Sequence, residues 1–437
     1  MRGCDRRALG EGRTGSVLSD EEAAALAEID EAALARTLRE LIAVPSVTGS
    51  PAESELQHLL AARLERLGLD TDLWSMDLPA LRADPDFPGT EAPRDEAWGL
   101  VGTTPDGGDG PTLILQGHVD VVPPGDLGAW DGDPFTPRVT GDVVHGRGAC
   151  DMKAGLAAHL AALAAIRAAG IRLRGRIAVH FVVGEEDGGL GAFGTLRRGH
   201  RGDACVIAEP TAGTLITANA GALTFRVTVP GRAAHASSRE RGVSAIDAYL
   251  PLHRALARLE TVRNTDPDPL LAEYPIPYAL SVGTVRSGDW ASSVPDLLVA
   301  EGRLGVRLDE DPAEARHALE QCVAEAGATD PWLRDHPPTV TWPGGQFAPG
   351  RLPPGHPLPG ILRGAWADTT GGPALRERGA TYGSDLRLYA GAGIPTLQFG
   401  PGDIQVAHSA AERVSLREVV AVTRALVVGA LRVVGTK

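Results

Sequence analysis

The sequence predicts an α/β fold in which a mixed, mostly parallel sheet has helices on both faces and a second domain is inserted into the first. Short apolar strands such as TLILQGH at 112–118 are typical of strands buried on both faces of a sheet. Helical segments rich in small residues separate these strands along the chain. From about residue 222 to 342 the pattern changes to the βαββαβ order of a ferredoxin-like domain.

Composition excludes several classes of partner. The chain has 437 residues and a formal net charge of -14, without a block of Lys or Arg. Nucleic acid and anionic membranes attract concentrated positive charge, so we expect neither as a partner. No stretch is predicted to supply the roughly 20 apolar residues of a membrane span. The four cysteines form no CxxC pair; they are Cys4, Cys150, Cys205 and Cys322. This spacing argues against a disulfide framework and against a thiolate zinc site, and it favours location in the reducing cytoplasm.

Three regions are expected along the chain. Residues 1–18 are predicted to be a loose extension, because their arginines are not followed by the apolar run of a secretory signal. Residues 19–220 and 338–437 form one domain, and residues 221–337 form the insertion.

The amino-terminal part of the first domain is predicted to be helical. Asp20 can cap a helix that begins at Glu21, and a second apolar periodicity runs until Pro45. Residues 52–67 form a third helix, which leads into a short strand. Residues 77–98 contain four prolines and are predicted to be a loop without chemistry.

The buried strand at 112–118 delivers an HVD triplet at its carboxyl end. In extended geometry His118 and Asp120 point to the same face of the sheet. Asp120 can then hold one imidazole nitrogen while the other nitrogen binds a metal ion. The alternative is a chance triplet without a function.

Asp151 lies in GRGACDMKAG, between a glycine-rich turn and a helix of small residues. A carboxylate can bridge two metal ions about 3.5–4 Å apart when each oxygen faces one ion. The alternative is a helix N-cap, which is the commoner role of an Asp before a helix.

Two further predicted strands, at 176–183 and 204–208, also end in acidic residues. Glu185 and Glu186 follow the first strand and Glu209 follows the second. Adjacent carboxylates repel unless they have separate roles, such as one metal ligand and one general base. A solvated acidic turn is the alternative. Open α/β sheets place their sites at the carboxyl ends of strands, and this agreement favours a functional site.

Two more histidines occur in loops. The first turn of the inserted domain, GRAAHAS, exposes His235 beside small residues that leave space for a ligand. After the insertion, a strand at 395–400 leads into a loop that bears His408 and Glu412.

From about Glu21 to its end the chain resembles the two-zinc amidohydrolases, the family of acetylornithine deacetylase, succinyl-diaminopimelate desuccinylase, carboxypeptidase G and aminoacylase. The motifs that carry the resemblance occur in the family order: GHVDVVPPG, GRGACDMKAG, GEED, AEPT, GRAAHAS, SVPD, GIPT and AHSAAE. The resemblance implies a zinc exopeptidase-like domain with the insertion as a lid and dimerisation domain.

The resemblance also implies two Zn²⁺ ions per chain, for which Co²⁺ or Mn²⁺ could substitute. Asp151 would bridge the ions, with His118 and Glu209 on one ion and Glu186 and His408 on the other. A metal-bridging hydroxide would attack an amide carbonyl.

The remaining implied roles concern catalysis and substrate. Glu185 would be the general base, Asp120 would orient His118, and His235 would approach the scissile carbonyl. Arg307, in a lid strand, resembles an arginine that lies near the substrate carboxylate, although Arg303 is equally basic and on the same strand. Ser293 replaces the Asn of many relatives and could alter a substrate contact.

Three functions remain open. The first is a deacylase that acts on a small N-acyl amino acid or similar amine, as a homodimer formed through the inserted domain. The second is a dipeptidase or carboxypeptidase with the same chemistry. The third is a metal-binding protein without turnover, against which the presence of Glu185 argues.

Overall fold

The computed structural model describes residues 18–105 and 107–437, and the described chain divides into two units. The first unit contains residues 18–217, 351–378 and 388–437, and the second contains residues 218–350 and 379–387. The second unit extends beyond the predicted residue 337 because later strands pair with its sheet. Residues 1–17 of the predicted extension, including Cys4, lie outside the described residues.

The strands and helices have the following bounds. The strands are β1 (Asp70–Ser75), β2 (Trp98–Thr103), β3 (Thr112–His118), β4 (Arg138–Thr140), β5 (Val143–His145), β6 (Arg176–Val182), β7 (Ala204–Pro210), β8 (Thr214–Asn219), β9 (Gly221–Pro230), β10 (Ala234–His235), β11 (Leu280–Ser287), β12 (Ser293–Val294), β13 (Leu297–Val306), β14 (Thr339–Thr341), β15 (Gln346–Phe347), β16 (Gly350–Arg351), β17 (Arg376–Ala380), β18 (Thr396–Gly400) and β19 (Arg413–Ser415). The helices are α1 (Asp20–Ala27), α2 (Glu31–Ile42), α3 (Pro51–Arg66), α4 (Leu78–Ala83), α5 (Ala154–Ala168), α6 (Leu190–Arg198), α7 (Ala245–Arg263), α8 (Pro312–Ala328), α9 (Pro331–Asp335), α10 (Leu358–Thr370), α11 (Leu386–Gly391) and α12 (Leu416–Val434).

A nine-stranded mixed sheet organises the first unit. Its strand order is β1-β2-β6-β3-β7-β18-β8-β16, and β17 pairs with β8. The central strands are parallel, since β3 pairs in parallel with β6 and β7, and β18 pairs in parallel with β7. Antiparallel pairs occur towards both sides, at β2 with β6 and at β8 with β18. The predicted α/β class with a mixed, mostly parallel sheet is confirmed.

Helix α5 packs closely on this sheet because its residues are small. A Cβ atom added at Gly155 would lie 2.3 Å from the carbonyl oxygen of Ala208 in β7, so no side chain fits there. Contrary to the sequence prediction, the segment Ala149–Ala168 is long and apolar enough to cross a membrane by length and composition. Within the most apolar stretch of this segment, 89% of it is buried inside the fold. Packing in the protein core therefore accounts for its apolar composition.

The second unit contains a five-stranded antiparallel sheet in the order β11-β13-β9-β14, with β15 also paired to β9. This is the ferredoxin-like order, and all six predicted elements form. Alternate residues of β9 face the core, as expected for a strand with one buried face. They pack with apolar residues of α7 and α8; the core includes Leu223, Phe225, Val227, Val229, Leu252, Leu256, Leu319 and Val323.

Several local predictions differ from the structure. Ser19, not Asp20, caps α1, because the Ser19 hydroxyl accepts from the Glu22 N–H and the Glu22 carboxylate accepts from the Ser19 N–H. The predicted loop at 77–98 contains α4, which is capped by Asp77 and ends before the strand that begins at Trp98. The sequence analysis also missed the small antiparallel sheet of β4, β5 and β19.

Candidate metal centre

The candidate ligands gather where parallel strands of the first unit end. His118 is the last residue of β3 and pairs in register with Val182, the last residue of β6. Glu185 and Glu186 follow β6, and Glu209 lies near the end of the neighbouring β7. Open α/β sheets carry their sites at this edge, because strand ends and loops converge there.

Asp151 lies between two histidines. Its Oδ1 is 3.1 Å from Nε2 of His118, and its Oδ2 is 3.3 Å from Nε2 of His408. The alternative of a helix N-cap is wrong for Asp151, because α5 begins at Ala154 and Lys153 occupies the cap position. Asp151 belongs instead to the kinked turn Ala149–Lys153, with non-helical φ -118° and ψ 94°. Each carboxylate oxygen therefore faces a different imidazole.

Each histidine also meets a second carboxylate. His118 Nε2 lies 3.7 Å from Oε1 of Glu209, and His408 Nε2 lies 3.1 Å from Oε2 of Glu186. Donor atoms of His118, Asp151 and Glu186 lie within 4.8 Å of one another. The structure thus brings all five predicted ligands together in two groups that share Asp151.

Glu185 lies against the same centre. One of its carboxylate oxygens lies within 4.8 Å of donor atoms of His118 and Glu209, and the residue is buried. His408 differs from the other predicted ligands, because its side chain is 51% exposed and its backbone has a positive φ of 58°. The centre is therefore most open beside His408.

The carboxylates create a strongly negative local field. Burial alone would lower the pKa of His118, but the charges of Glu209, Asp151 and Asp120 outweigh burial and raise that pKa well above its usual value. Hydrogen bonds with Asp151 and Glu186 raise the pKa of His408 to about 11. Burial and the Asp151 charge raise the pKa of Glu186. The field favours positive charge, which divalent cations supply.

Asp120 occupies the predicted place but makes different contacts. The Nδ1 atom of His118 is 2.9 Å from the backbone carbonyl oxygen of Asp120 and 3.6 Å from its carboxylate. The carboxylate accepts the backbone N–H groups of Glu185 and Glu186, each at 3.2 Å, and the Thr48 hydroxyl at 3.0 Å. The prediction that the Asp120 side chain orients His118 is corrected: the backbone carbonyl faces the imidazole, and the carboxylate holds the loop of Glu185.

A buried ionic network supports the same loop, and the sequence analysis missed it. Glu53 Oε1 accepts the N–H of Gly184 at 3.0 Å, and Arg94 lies between Glu53 and Asp187, at 3.3 and 3.1 Å. Burial, with the charge of Asp120, raises the pKa of Glu53 to about 8. Arg94 lies in the proline-rich segment to which no chemistry was assigned, and no local pattern links residues so distant in sequence.

The remaining predicted site residues lie in the second unit. His235 and Ser293 face each other in register on the antiparallel pair β10 and β12. Arg307 is not in a strand as predicted, because β13 ends at Val306; its guanidinium donates to the carbonyl of Asp266 at 3.3 Å and lies 3.8 Å from Asp309. Arg303 lies on β13 and donates to the carbonyl oxygen of Thr381 at 3.0 Å.

The donor set of the first unit fits divalent metal ions. Buried polar atoms normally have a partner, yet Oε1 of Glu186 is buried with no hydrogen-bond partner among the described residues. Imidazole nitrogens and carboxylate oxygens are ligands that Zn²⁺, Co²⁺ and Mn²⁺ accept. Cys150 is adjacent to Asp151, but its thiol lies 3.7 Å from Glu412, and burial raises the pKa of that thiol. An N- and O-donor centre with a shared carboxylate therefore fits these residues.

Comparisons with known proteins identify a family and several similar chains. A family model described as Peptidase family M20/M25/M40 matches residues 114–431. The N-formyl-4-amino-5-aminomethyl-2-methylpyrimidine deformylase of Halalkalibacterium halodurans is 28% identical over 433 residues, which cover 93% of this chain and 95% of that protein. The succinyl-diaminopimelate desuccinylase of Leptothrix cholodnii is 32% identical over 388 residues, with 83% and 89% covered.

Solved structures share the fold. A tripeptidase of Staphylococcus aureus superposes with a TM-score of 0.70 at 22% identity and covers 92% of this chain and 98% of that chain. The di-peptidase Dug1p of Saccharomyces cerevisiae superposes with a TM-score of 0.73 at 14% identity, with 95% and 99% covered. At these identities the superpositions establish the fold alone.

Proposed function

Because the chain belongs to the M20/M25/M40 peptidase family, we propose that it is a metal-dependent deacylase that hydrolyses the amide bond of a small N-acyl amino acid or N-acylated amine. One observation carries the proposal: the two oxygens of Asp151 face His118 and His408 at 3.1 and 3.3 Å. Each histidine is joined by a further carboxylate, so the arrangement suits a pair of ions that share one ligand.

The family implies a dinuclear metal site, and this chain offers five candidate ligands for it. His118 and Glu209 would hold one Zn²⁺, Glu186 and His408 the other, and Asp151 both. The bound ions would supply Lewis-acid polarisation of the carbonyl and a lowered pKa of water.

Glu185 is the proposed proton carrier. Its backbone N–H is fixed by the Asp120 carboxylate at 3.2 Å, and its side chain lies beside His118 and Glu209. We assign Glu185 the role of general base rather than of a metal ligand, so its carboxylate would accept a proton from the attacking water. The same group would then return the proton to the departing amine nitrogen, as general acid–base catalysis requires.

The tautomer of His235 suits a hydrogen-bond donor. Its Nδ1 accepts the backbone N–H of Ser237 at 3.1 Å and lies 2.7 Å from the Ser237 hydroxyl. Since a backbone N–H can only donate, the neutral imidazole carries its proton on Nε2. An Nε2–H group is suited to stabilise the developing oxyanion of the substrate, which is the role we propose for His235.

The named relatives favour acyl substrates over peptides. The curated relatives given above carry the names of a deformylase and a desuccinylase, whereas the peptidases are similar in fold alone. The test is a kcat/KM profile of the Zn²⁺-loaded protein on N-formyl, N-acetyl and N-succinyl amino acids and on matched dipeptides. We expect hydrolysis of one acyl class to exceed that of the dipeptides. Faster hydrolysis of the dipeptides would contradict the deacylase proposal and favour a peptidase. No turnover on the panel would favour a metal-binding protein.

We further propose a homodimer formed through the second unit. Strand β11 is the last strand of its sheet, and an unpaired edge can pair with another chain. Several apolar side chains nearby in the sequence are exposed, including Val285 and Trp290, the latter by 74%. A second copy could pair there isologously. Light scattering should give twice the chain mass, and Val285→Lys should shift the mass towards the monomer.

In such a dimer His235 could act in the site of its own subunit or in the site of the partner, and we propose the second. Mixing inactive Glu185→Ala chains with inactive His235→Ala chains would create one intact site per mixed dimer if His235 acts across the interface. Partial return of activity is expected. No return, in mixtures shown to contain mixed dimers, would place His235 in cis or remove it from catalysis.

A further inference from the structure

Glu412 has no part in the chemistry above, yet its side chain is buried and its contacts lead directly to the candidate centre. Its Oε1 accepts the backbone N–H of Cys150 at 3.1 Å and of Asp151 at 3.3 Å. Its Oε2 accepts from the Arg147 guanidinium at 2.5 Å, and Arg147 is also buried. Both oxygens are therefore engaged with the segment that carries Asp151.

The backbone around Glu412 ties the same two segments together. The Gly146 N–H donates to the carbonyl oxygen of Glu412 at 3.3 Å. The next residue, Arg413, pairs with His145 where β19 meets β5. The loop that carries His408 is thus joined at Glu412 to the turn that carries Asp151.

The Asp151 turn has separate attachments on the His118 side. The His118 N–H lies 3.2 Å from Sδ of Met152, and Nζ of Lys153 donates to the carbonyl oxygen of Val44 at 2.7 Å. These contacts do not involve Glu412. Loss of the Glu412 carboxylate should therefore disturb the relation between Asp151 and His408 more than the relation between Asp151 and His118.

We propose that Glu412 is a positioning residue that fixes Asp151 relative to His408 and so sets the affinity of the ion bound by His408, Glu186 and Asp151. This inference rests on the metal assignment in the proposed function. A carboxylate suits the task because a charged acceptor holds N–H groups more strongly than a neutral one. A glutamine side chain has one acceptor oxygen, and its NH₂ group can only donate. It therefore cannot accept from the backbone N–H groups with one atom and from Arg147 with the other, as the two carboxylate oxygens of Glu412 do.

The test is Glu412→Gln, measured as Zn²⁺ binding to the metal-free protein by competition with a chromophoric chelator. His408→Ala, titrated in parallel, identifies which binding step belongs to the His408 ion. In Glu412→Gln that step should weaken by roughly 10–100-fold, the range typical of residues that support metal ligands. The other step should change much less.

Glu22→Gln is the matched control. Glu22 is another buried carboxylate of the first unit that pairs with an arginine, Arg432 at 2.7 Å, and accepts a backbone N–H, that of Ser19 at 3.0 Å. Its substitution should lower the melting temperature of the metal-free protein and leave both binding steps unchanged. A purely structural role of Glu412 would give the same result as this control.

The outcomes separate the two proposals. Unchanged affinities in Glu412→Gln, or equal weakening of both steps, would overturn the positioning role while the metal centre stands. Failure of the unsubstituted protein to bind two ions would overturn the proposed function itself. If Glu412→Gln does not fold, Arg147→Met combined with Glu412→Gln removes both buried charges, and the same selective weakening is expected.

Discussion

Substitution of Asp120 by Asn separates the observed role of this side chain from the role that the sequence suggested. The carboxylate accepts the N–H groups of Glu185 and Glu186 at 3.2 Å each, whereas Nδ1 of His118 lies 2.9 Å from the backbone carbonyl of residue 120. Asp120→Asn leaves that carbonyl in place. It should therefore loosen the loop of Glu185 and Glu186 while His118 stays oriented.

The expected loss in kcat follows from the number of acceptor oxygens that the side chain at position 120 offers. An amide offers one oxygen, so one of the two N–H groups, the buried one of Glu185 or the partly buried one of Glu186, loses its acceptor. A buried donor left without a partner costs roughly 1–3 kcal/mol. At about 1.36 kcal/mol per tenfold change in rate, a loss of this size expressed in the positioning of Glu185 lowers kcat roughly 5–150-fold.

The assay combines steady-state kinetics with metal analysis of the same samples. We expect Asp120→Asn to retain metal and to lose about one to two orders of magnitude in kcat. Thr48→Val is the matched control, because it removes only the hydroxyl that donates to Asp120 at 3.0 Å. Loss of the metal held by His118 in Asp120→Asn would refute this reasoning and support direct orientation of the imidazole by the carboxylate. An unchanged kcat would refute the proposed support of the Glu185 loop.

Three further predictions follow from the same contacts. Glu185→Gln should retain both ions and lose about 10²–10⁴-fold in kcat, since it removes proton transfer but no proposed ligand; metal loss would mean that the roles of Glu185 and Glu186 are exchanged. His159→Leu should stabilise the protein by roughly 1–3 kcal/mol in denaturant titrations, because His159 is buried with neither ring nitrogen paired among the described residues. Burial lowers the pKa of His159 from 6.5 to about 3, so the folded state loses stability relative to the unfolded chain as the pH falls from about 6.5 towards 3. The free energy of unfolding of His159→Leu should therefore depend less on pH in this range, and an unchanged pH dependence would contradict the assignment. Removal of metal by a chelator should lower the melting temperature, and Zn²⁺ at about 100 times its dissociation constant should raise the free energy of unfolding by about 2.7 kcal/mol per site. A melting temperature that does not change with metal would argue against tight binding by the folded state.

The sequence predicted the parts of the structure that local patterns determine. The strand that ends at His118 follows from its compact apolar run, which is typical of a strand buried on both faces of a sheet. The βαββαβ elements of the second unit follow from their sequence pattern, because side-chain burial repeats every two residues in a strand with one buried face and about every 3.6 in a helix. The acidic residues after β6 and β7 could be placed at one edge because parallel strands end together.

Contacts that depend on side-chain torsions or on distant segments could not be predicted in the same way. The HVD triplet shows that Asp120 is close to His118, but not which oxygen of Asp120 faces the imidazole. Arg94 meets Glu53 and Asp187 across 41 and 93 residues of sequence, and neither spacing has a local signature. The short strands β4, β5 and β19 have three residues each, too few for a periodic pattern to emerge.

The central claim is that Asp151 bridges two metal ions, and anomalous diffraction at the zinc absorption edge from crystals of the Zn²⁺-loaded protein tests it most directly. The expected result is two peaks about 3.5–4 Å apart, one beside each oxygen of Asp151, with His118 and Glu209 at one peak and Glu186 and His408 at the other. A single peak at saturating Zn²⁺, or two peaks of which only one contacts Asp151, would contradict the claim.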